Sequence, residues 1–169
     1  MLSNAITIRK AVPEDAAKIV FGLASLAQDL GYAHHFHGTV ESVIKHGFTE
    51  PVQFQVAIAE TATEFAGLAV YFAYYSTMRS QPGVYIQDLW VAKDFRQRQL
   101  GKRMLRQVGQ QARASWDAQF MILAAHNDNA AAQRFYQRLG FTSQYEDQTM
   151  VLEPKGLAQL LQEVATDVG

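Results

Sequence analysis

The chain has 169 residues, of which 49% are hydrophobic, so it is long enough for one domain with a sizeable buried core. Its net charge of -1 gives no overall attraction to nucleic acid or to an anionic membrane, and no stretch approaches the roughly 20 apolar residues that span a bilayer. The absence of cysteine excludes disulfides, a thiol nucleophile and any Cys-ligated metal site. We therefore expect a cytoplasmic protein with a single domain over residues 1–169.

The first third of the chain predicts one strand and two helices. Residues 5–9 alternate apolar and polar side chains, which indicates a strand, and Pro13 with two acidic residues after it is typical of a helix start. The apolar side chains of this helix recur at spacings of three and four: Ile19, Leu23, Leu26 and Leu30. Gly31 is expected to end it. A second, short helix is predicted from Thr39 through about Lys45, closed by Gly47.

The rest of the chain alternates between strand and helix patterns. Strands are predicted at residues 54–59, 66–74, 83–91, 120–124 and 145–152, the fourth of them short and buried. Helices are predicted from Leu100 for about four turns, over residues 127–139, and at about residues 155–165 at the C-terminus.

This order of elements predicts an α/β (α+β) fold. We expect a mostly antiparallel sheet, with one parallel pair near its middle and with helices on its faces. A ligand site is expected where the parallel pair opens, because helices that begin at the carboxyl ends of strands direct their first amides there.

A basic loop follows the predicted strand at residues 83–91. The segment from Arg96 to Lys102 leaves that strand and enters a helix. Its successive main-chain amides, with Arg96, Arg98 and Lys102 beside them, could surround a pyrophosphate. From the charge pattern alone a solvated loop is the better interpretation, because exposed Arg and Lys are common.

A second segment runs from Asn129 to Phe141. It places Asn129 at a helix start, small residues on the next turn, and Tyr136 seven residues after Asn129. Seven residues are two helical turns, so the two side chains share a face. Taken alone, Asn129 could be only a helix cap and Tyr136 an amphipathic core residue.

Together and in this order, the two segments resemble the signature motifs of the GNAT N-acetyltransferases. In the first motif, Arg/Gln-x-x-Gly-x-Gly/Ala, the named places are taken by Arg96, Gln99 and Gly101. Gln99 thus replaces the first glycine, and its Cβ adds bulk and disfavours a positive φ. The second motif, Asn-x-x-Ala-x-x-Phe/Tyr-Tyr-x-x-x-Gly-Phe, is matched without a gap from Asn129 to Phe141.

The resemblance implies a GNAT-like sheet, with the parallel pair splayed at the cofactor site, and acetyl-CoA as the cofactor. It implies that main-chain amides near Leu89 to Val91 polarise the thioester carbonyl and that Tyr136 is the catalytic acid that protonates the departing thiolate. The implied cofactor-binding residues are Leu89, Trp90, Val91, Arg96, Gln97, Arg98, Gln99, Leu100, Gly101, Lys102, Asn129, Ala132 and Tyr136. Direct transfer in a ternary complex is expected, since the chain has no Cys and no nucleophile-elbow Ser.

Residues 67–72, 75–77 and 82–91 further resemble the branch of the family that contains diamine and polyamine acetyltransferases. Where that branch has Glu-Asp-Leu, this chain has Gln87, Asp88 and Leu89. The branch's Glu is thought to relay a proton from the acceptor amine, which Gln87 cannot accept. Another group must then be the base, or the amine must arrive neutral. We expect the acceptor to be the primary amine of a small molecule that is a diamine, a polyamine or amino-acid-like.

The resemblance and the polar residues nearby suggest an acceptor site. Its candidate residues are His34, His35, Tyr75, Gln87 and Asp88. His34 and His35, with His37, could instead form a base cluster or a metal site, but the first two are neighbours and no carboxylate completes a ligand pattern. No metal is therefore expected. His126, beside the second motif, could serve only to cap the end of a strand.

Two alternatives stay open at this point. The replacements at Gln87 and Gln99 are compatible with a catalytically degenerate acyl-CoA-binding sensor or interaction domain. The C-terminal helix carries an apolar stripe that could pack on its own domain or across a homodimer: Leu157, Leu160, Leu161 and Val164.

Overall fold

The computed structural model describes residues 5–144 and 150–162. The chain divides into two compact units after Asn129. The first unit contains β1 (Thr7–Lys10), α1 (Ala16–Asp29), α2 (Val40–Gly47), β2 (Gln55–Glu60), β3 (Phe65–Ser76), β4 (Gln81–Val91), α3 (Leu100–Trp116) and β5 (Phe120–Leu123), and the second contains α4 (Ala130–Arg138) and α5 (Pro154–Gln162). The single domain over residues 1–169 stays a prediction. In the described part of the chain, no helix combines the length and the apolar character needed to cross a membrane.

The five strands form one sheet in the order β1-β2-β3-β4-β5. The first three pairings are antiparallel, and β4 pairs with β5 in parallel. The predicted fold class, a mixed and mostly antiparallel sheet with flanking helices, is confirmed. Among the described strands, however, the parallel pair lies at the edge of the sheet and not near its middle. The strand predicted at residues 145–152 lies mostly outside the described residues, and residues 150–152 belong to no strand.

Opposite faces of the sheet are covered by α1 and α3. Leu68 of β3 packs against Gly22 of α1, whereas the hydroxyl of Tyr71 donates to Gln111 of α3. Side chains three positions apart on a strand point to opposite faces. Leu68 and Tyr71 therefore contact helices that lie on opposite sides of the sheet. The fully buried residues Ile19 on α1 and Met104 on α3 belong to the two apolar layers that result.

The start of α1 is held by a buried carboxylate. The guanidinium of Arg9 donates to both oxygens of Asp15, at 2.6 and 2.9 Å, and also donates to Glu60 of β2 at 2.8 Å. These charge-assisted hydrogen bonds tie the helix to β1 and β2. They fix the direction in which α1 crosses the sheet, and with it the position of the far end of α1 at Asp29.

A β-bulge interrupts the pairing of β3 with β4. Val70 pairs with Asp88, whereas Tyr71 pairs with Ile86, so Gln87 is an extra residue on β4. The parallel partner β5 contacts β4 only as far as Ile86. Residues 87–91 of β4 therefore have no partner on that side among the described strands, and the parallel pair opens there.

Three predictions of local structure need correction. Helix α4 begins at Ala130 and not at residue 127, because residues 127–129 form a turn in which the amide of Asn129 donates to the carbonyl of His126 at 3.0 Å. Strand β5 is half-buried and not buried, since it is the edge strand of the described sheet. Gly47 lies in the last turn of α2 and does not follow it.

Candidate active site

The open stretch of β4 is rigidly held by α1. Trp90 is 6% exposed, and its indole nitrogen donates to the carboxylate of Asp29 at 3.3 Å. The same indole makes an edge contact with the ring of Phe21, with 6.3 Å between ring centroids. These contacts fix the backbone from Leu89 to Val91. The side of this stretch that has no partner among the described strands offers main-chain amides to an extended ligand.

The loop after β4 has the backbone of an anion site. Gln97 and Gln99 have φ angles of 63° and 56°, and α3 begins directly afterwards at Leu100. Turns of this kind direct successive amides to one side, and the first amides of a helix have no acceptor within it. The segment therefore fits a pyrophosphate through main-chain groups. The side chain of Leu100 is 1% exposed and belongs to the core, so only its amide is available to a ligand.

Gln99 adopts the backbone conformation of the glycine that it replaces. Its φ of 56° and ψ of 16° lie in the left-handed region, where a Cβ crowds the following carbonyl at a cost of about 1 kcal/mol. The residue at this position strains the loop but leaves the direction of the amides intact.

We expect Gln99→Gly to raise the free energy of unfolding by about 0.5–1 kcal/mol, because glycine relieves the left-handed strain. Urea unfolding measures the change. The matched control is Gln110→Gly on the exposed side of α3, where the same substitution should lower the free energy of unfolding by about 1 kcal/mol. A similar loss at both positions would contradict a left-handed residue 99.

Arg96 is held by groups of the protein itself. Its Nε donates to the carbonyl of Val91 at 2.9 Å, and its guanidinium forms an ion pair with Asp29 at the end of α1. These contacts tie the loop to α1 and β4. The expected role of Arg96 beside the pyrophosphate stays a prediction. Arg98 and Lys102 are exposed, with Arg98 above the ring of Phe95 at 5.7 Å.

Asp88 is an unusual carboxylate in the acceptor region. It pairs with Val70 next to the bulge, and Trp90 pairs with Leu68, so both side chains lie on the α1 face of the sheet. The carboxylate is half-buried and makes no hydrogen bond within the described part of the chain. Burial raises the pKa of Asp88 to about 6. Gln87, on the bulge, is exposed.

The structure does not bring together all the predicted acceptor residues. Tyr75 is 60% exposed and pairs with Pro82. Pro82 is six residues from Asp88 along β4, or roughly 20 Å at the usual rise of a strand. His34 and His35 lie in the loop after α1, with 4.0 Å between their ring centroids. Within residues 5–144 and 150–162, no three His, Asp or Glu side chains are grouped as metal ligands.

A hydrogen-bonded row that the sequence did not predict joins this loop to the end of β5. The hydroxyl of Tyr32 lies 2.9 Å from Nε2 of His126, and Nδ1 of His126 lies 3.0 Å from the carboxylate of Asp128. The spacing of His126 and Asp128 was a local signal for half of this row. Nothing in the sequence pointed to Tyr32, which is 94 residues away from His126.

The second unit contains Ala132 and Tyr136 on α4. The ring of Tyr136 packs against Phe135 and Phe141, with centroid distances of 5.1 and 5.5 Å. The amide of Phe141 donates to the carbonyl of Tyr136 at 3.1 Å, which closes the helix end. Burial raises the pKa of Tyr136, so the phenol keeps its proton at neutral pH.

Residues 23–141 match the model of the acetyltransferase (GNAT) family, a range that includes the open stretch of β4, the loop to α3 and the segment from Asn129 to Phe141. The chain belongs to the GNAT acetyltransferase family. Enzymes of this family take the acetyl group from acetyl-CoA, so the protein is an acetyl-CoA-dependent N-acetyltransferase.

Solved structures show the same fold. An integron cassette protein from the mobile metagenome of V. cholerae has a TM-score of 0.75 and 17% identity, over 95% of this chain and 99% of that one. An aminoglycoside acetyltransferase from a soil metagenomic sample, solved with sisomicin, has a TM-score of 0.74 and 16% identity, over 89% and 98%. A ribosomal-protein-alanine N-acetyltransferase from Brucella melitensis has a TM-score of 0.69 and 13% identity, over 88% and 100%.

Proposed function

We propose that this GNAT acetyltransferase acetylates a primary amine of a cationic small molecule by direct attack in a ternary complex. Asp88 carries this proposal. A half-buried carboxylate without a hydrogen-bond partner among the described residues is costly to ionise, and a bound ammonium group would compensate for that cost. With a pKa of about 6, Asp88 is mostly ionised at neutral pH and attracts such a group.

The cofactor site of the proposal combines main-chain and side-chain donors. The amides from Gln97 to Lys102 would hold the pyrophosphate, supported by the charges of Arg98 and Lys102. The open stretch from Leu89 to Val91 would bind the pantetheine arm. Asn129, Ala132 and Tyr136 keep the cofactor-binding roles that their motif implies.

The chemical step needs four tasks from the chain. Acetyl-CoA supplies a thioester carbonyl that an amine can attack. Amides near Leu89 to Val91 would stabilise the negative charge that develops on the carbonyl oxygen. Asp88 would hold the acceptor beside this carbonyl, and Tyr136 would protonate the thiolate that departs. The fourth task, removal of a proton from the ammonium group, cannot be performed by Gln87.

The charge of Asp88 favours acceptors that carry more than one ammonium group. Such acceptors include the diamines and polyamines that the sequence suggested and also the aminoglycosides for which one structural neighbour is named. The neighbour named for ribosomal-protein alanine points to a different acceptor, the N-terminus of a protein. A cytoplasmic location and a homodimer stay predictions.

Release of free coenzyme A in the presence of different amines tests the function. The panel contains putrescine, spermidine, sisomicin and a peptide with an N-terminal alanine. We expect spermidine or sisomicin to give the highest kcat/KM. If the alanyl peptide reacted faster, the acceptor would be a protein N-terminus and not a small molecule. Binding of acetyl-CoA without acetylation of any amine would contradict the proposal and favour a sensor.

Calorimetry should show about one acetyl-CoA per chain, with weaker binding after Arg98→Ala. Loss of one charge-assisted phosphate contact costs about 1–3 kcal/mol, or roughly 10- to 100-fold in affinity. Arg106→Ala is the matched control. Arg106 is likewise an exposed arginine, but it lies on α3 and away from the start of the helix. If Arg98→Ala bound acetyl-CoA as tightly as the unaltered protein, the pyrophosphate would have to bind outside this loop.

A further inference from the structure

Tyr32, His126 and Asp128 form a continuous row of titratable groups outside the roles assigned so far. The ring of Tyr32 also packs on that of His126, with 5.3 Å between centroids. Side chains of His126 and Asp128 are 53% and 86% exposed, so the row is open to solvent at its outer end. It connects two segments that are far apart in sequence, the loop after α1 and the turn after β5.

The two segments meet beside the open stretch of β4. Asp29, at the end of α1, accepts a hydrogen bond from Trp90, and Tyr32 follows three residues later. On the other side, β5 ends at Leu123, which pairs with Ile86, and His126 follows three residues later. Both arms of the row are therefore anchored next to residues 87–91, where the acceptor carboxylate Asp88 lies.

The chemistry of the row fixes the direction of its hydrogen bonds. An ionised carboxylate only accepts hydrogen bonds, so Asp128 accepts one from the N–H group at Nδ1 of His126. A neutral ring then has its lone pair on Nε2, and this atom accepts a hydrogen bond from the hydroxyl of Tyr32. The oxygen of Tyr32 keeps lone pairs that can accept a hydrogen bond from an ammonium group.

The acceptor amine has a proton to lose. An alkyl ammonium group has a pKa of about 10.4, so at neutral pH it must be deprotonated before it attacks a thioester. Gln87 occupies the place of the branch's glutamate and cannot accept this proton. A relay that ends on an imidazole suits this step, because His changes charge near neutral pH.

We propose that Tyr32 and His126 relay the proton of the acceptor amine away from the site, an inference that rests on the proposed function. The ammonium group gives one proton to the oxygen of Tyr32 while the hydroxyl proton of Tyr32 passes to Nε2 of His126. The products are a neutral amine, an intact tyrosine and an imidazolium that is paired with Asp128. Tyr32 contacts the amine directly, whereas His126 and Asp128 act through Tyr32.

The other charged groups around the row are few in the described part of the first unit. The ring centroid of His35 lies 6.3 Å from that of Tyr32, and the ring of His34 lies next to that of His35. The carboxylate of α1 at Asp29 is already paired with Arg96. Asp128, at 3.0 Å from Nδ1, is placed to stabilise a positive charge on His126.

The first test does not depend on activity. Long-range ¹H–¹⁵N NMR of histidine-labelled protein at pH 8 identifies the tautomer of His126, with His126→Gln used to assign its signals. The proton should lie on Nδ1, facing Asp128. A proton on Nε2 would make His126 a donor to Tyr32, and the relay would be refuted.

The second test is the pH dependence of kcat with spermidine or sisomicin, whichever the unaltered enzyme acetylates faster. The kcat of the unaltered enzyme should rise with pH and then reach a plateau. Tyr32→Phe and His126→Gln should lower kcat by about 10²- to 10⁴-fold, and their rates should keep rising toward the pKa of the amine itself. Asp128→Asn should give a smaller loss, and the KM for acetyl-CoA should stay the same.

His46→Gln is the matched control, because His46 also makes an exposed side-chain hydrogen bond, to Gln53 at 3.0 Å. An unchanged pH profile in His126→Gln would reduce the row to a structural contact between two loops. Loss of the plateau in Asp88→Asn, with the plateau kept in His126→Gln, would make Asp88 the base and overturn the relay. An unaltered enzyme that acetylates neither amine would instead contradict the proposed function, and the tautomer would still decide whether the row is arranged to accept a proton.

Discussion

Tyr136→Phe should lower kcat by about 10²- to 10⁴-fold, the usual contribution of a positioned acid, while acetyl-CoA binds nearly as before. The substitution removes only the hydroxyl. The ring contacts to Phe135 and Phe141 persist, so the melting temperature should change little. Because burial raises the pKa of Tyr136, the phenol is protonated at neutral pH and can act as a donor.

Tyr71→Phe is the control for the loss of a tyrosine hydroxyl. Its hydroxyl donates to Gln111 on the α3 face, so this variant should lose about 0.5–1.5 kcal/mol of stability and keep its kcat. The comparison requires single-turnover measurements, in which chemistry limits the rate. An unchanged rate in Tyr136→Phe under these conditions would return Tyr136 to the role of a packing residue.

The elements of this fold were predictable because their signals are local. The period of apolar residues identified α1 and α3, and alternation identified the central strands. The segment from Asn129 to Phe141 could be recognised as a motif because its residues follow one another along the chain. Its helix start was predicted too early, since the hydrogen bond of Asn129 to the carbonyl of His126 extends a turn that residue types alone do not reveal.

Backbone conformation was harder to predict than element type. The bulge at Gln87 depends on how β3 and β4 pair, and no glycine or proline marks it. The two left-handed residues of the loop are both glutamines, Gln97 and Gln99, where a positive φ is normally expected of glycine. In each case the surrounding structure overrides the local preference.

Long-range polar contacts were beyond the reach of sequence patterns. The ion pair of Arg96 joins it to Asp29, which is 67 residues away. The contact of Tyr32 with His126 joins residues 94 apart. Such pairs form only when the sheet brings α1 and β5 to the same edge of β4, so they emerge from topology and not from spacing.

The second large effect is expected at Asp88, where substitution should make the enzyme more stable and less active. Burial raises the pKa of this carboxyl from its ordinary value of 3.8 to about 6. A pKa that is higher in the folded chain adds stability below about pH 4, and this stability is lost as the pH rises through about 6. Above that pH, the folded protein bears the cost of a half-buried charge.

Asp88→Asn removes that cost. The full pKa difference corresponds to about 3 kcal/mol, and partial access of solvent to the carboxylate reduces the expected gain at pH 8 to about 1–2 kcal/mol. At pH 4 the two proteins should unfold at nearly the same urea concentration.

Because the amide of Asp88→Asn cannot attract an ammonium group, kcat/KM for spermidine should fall by roughly 10- to 100-fold, the value of one charged hydrogen bond. Glu64→Gln, in the exposed turn between β2 and β3, should change neither quantity. A loss of stability in Asp88→Asn at pH 8 would mean that the folded protein stabilises the carboxylate. An unchanged kcat/KM in this variant would mean that Asp88 does not bind the acceptor.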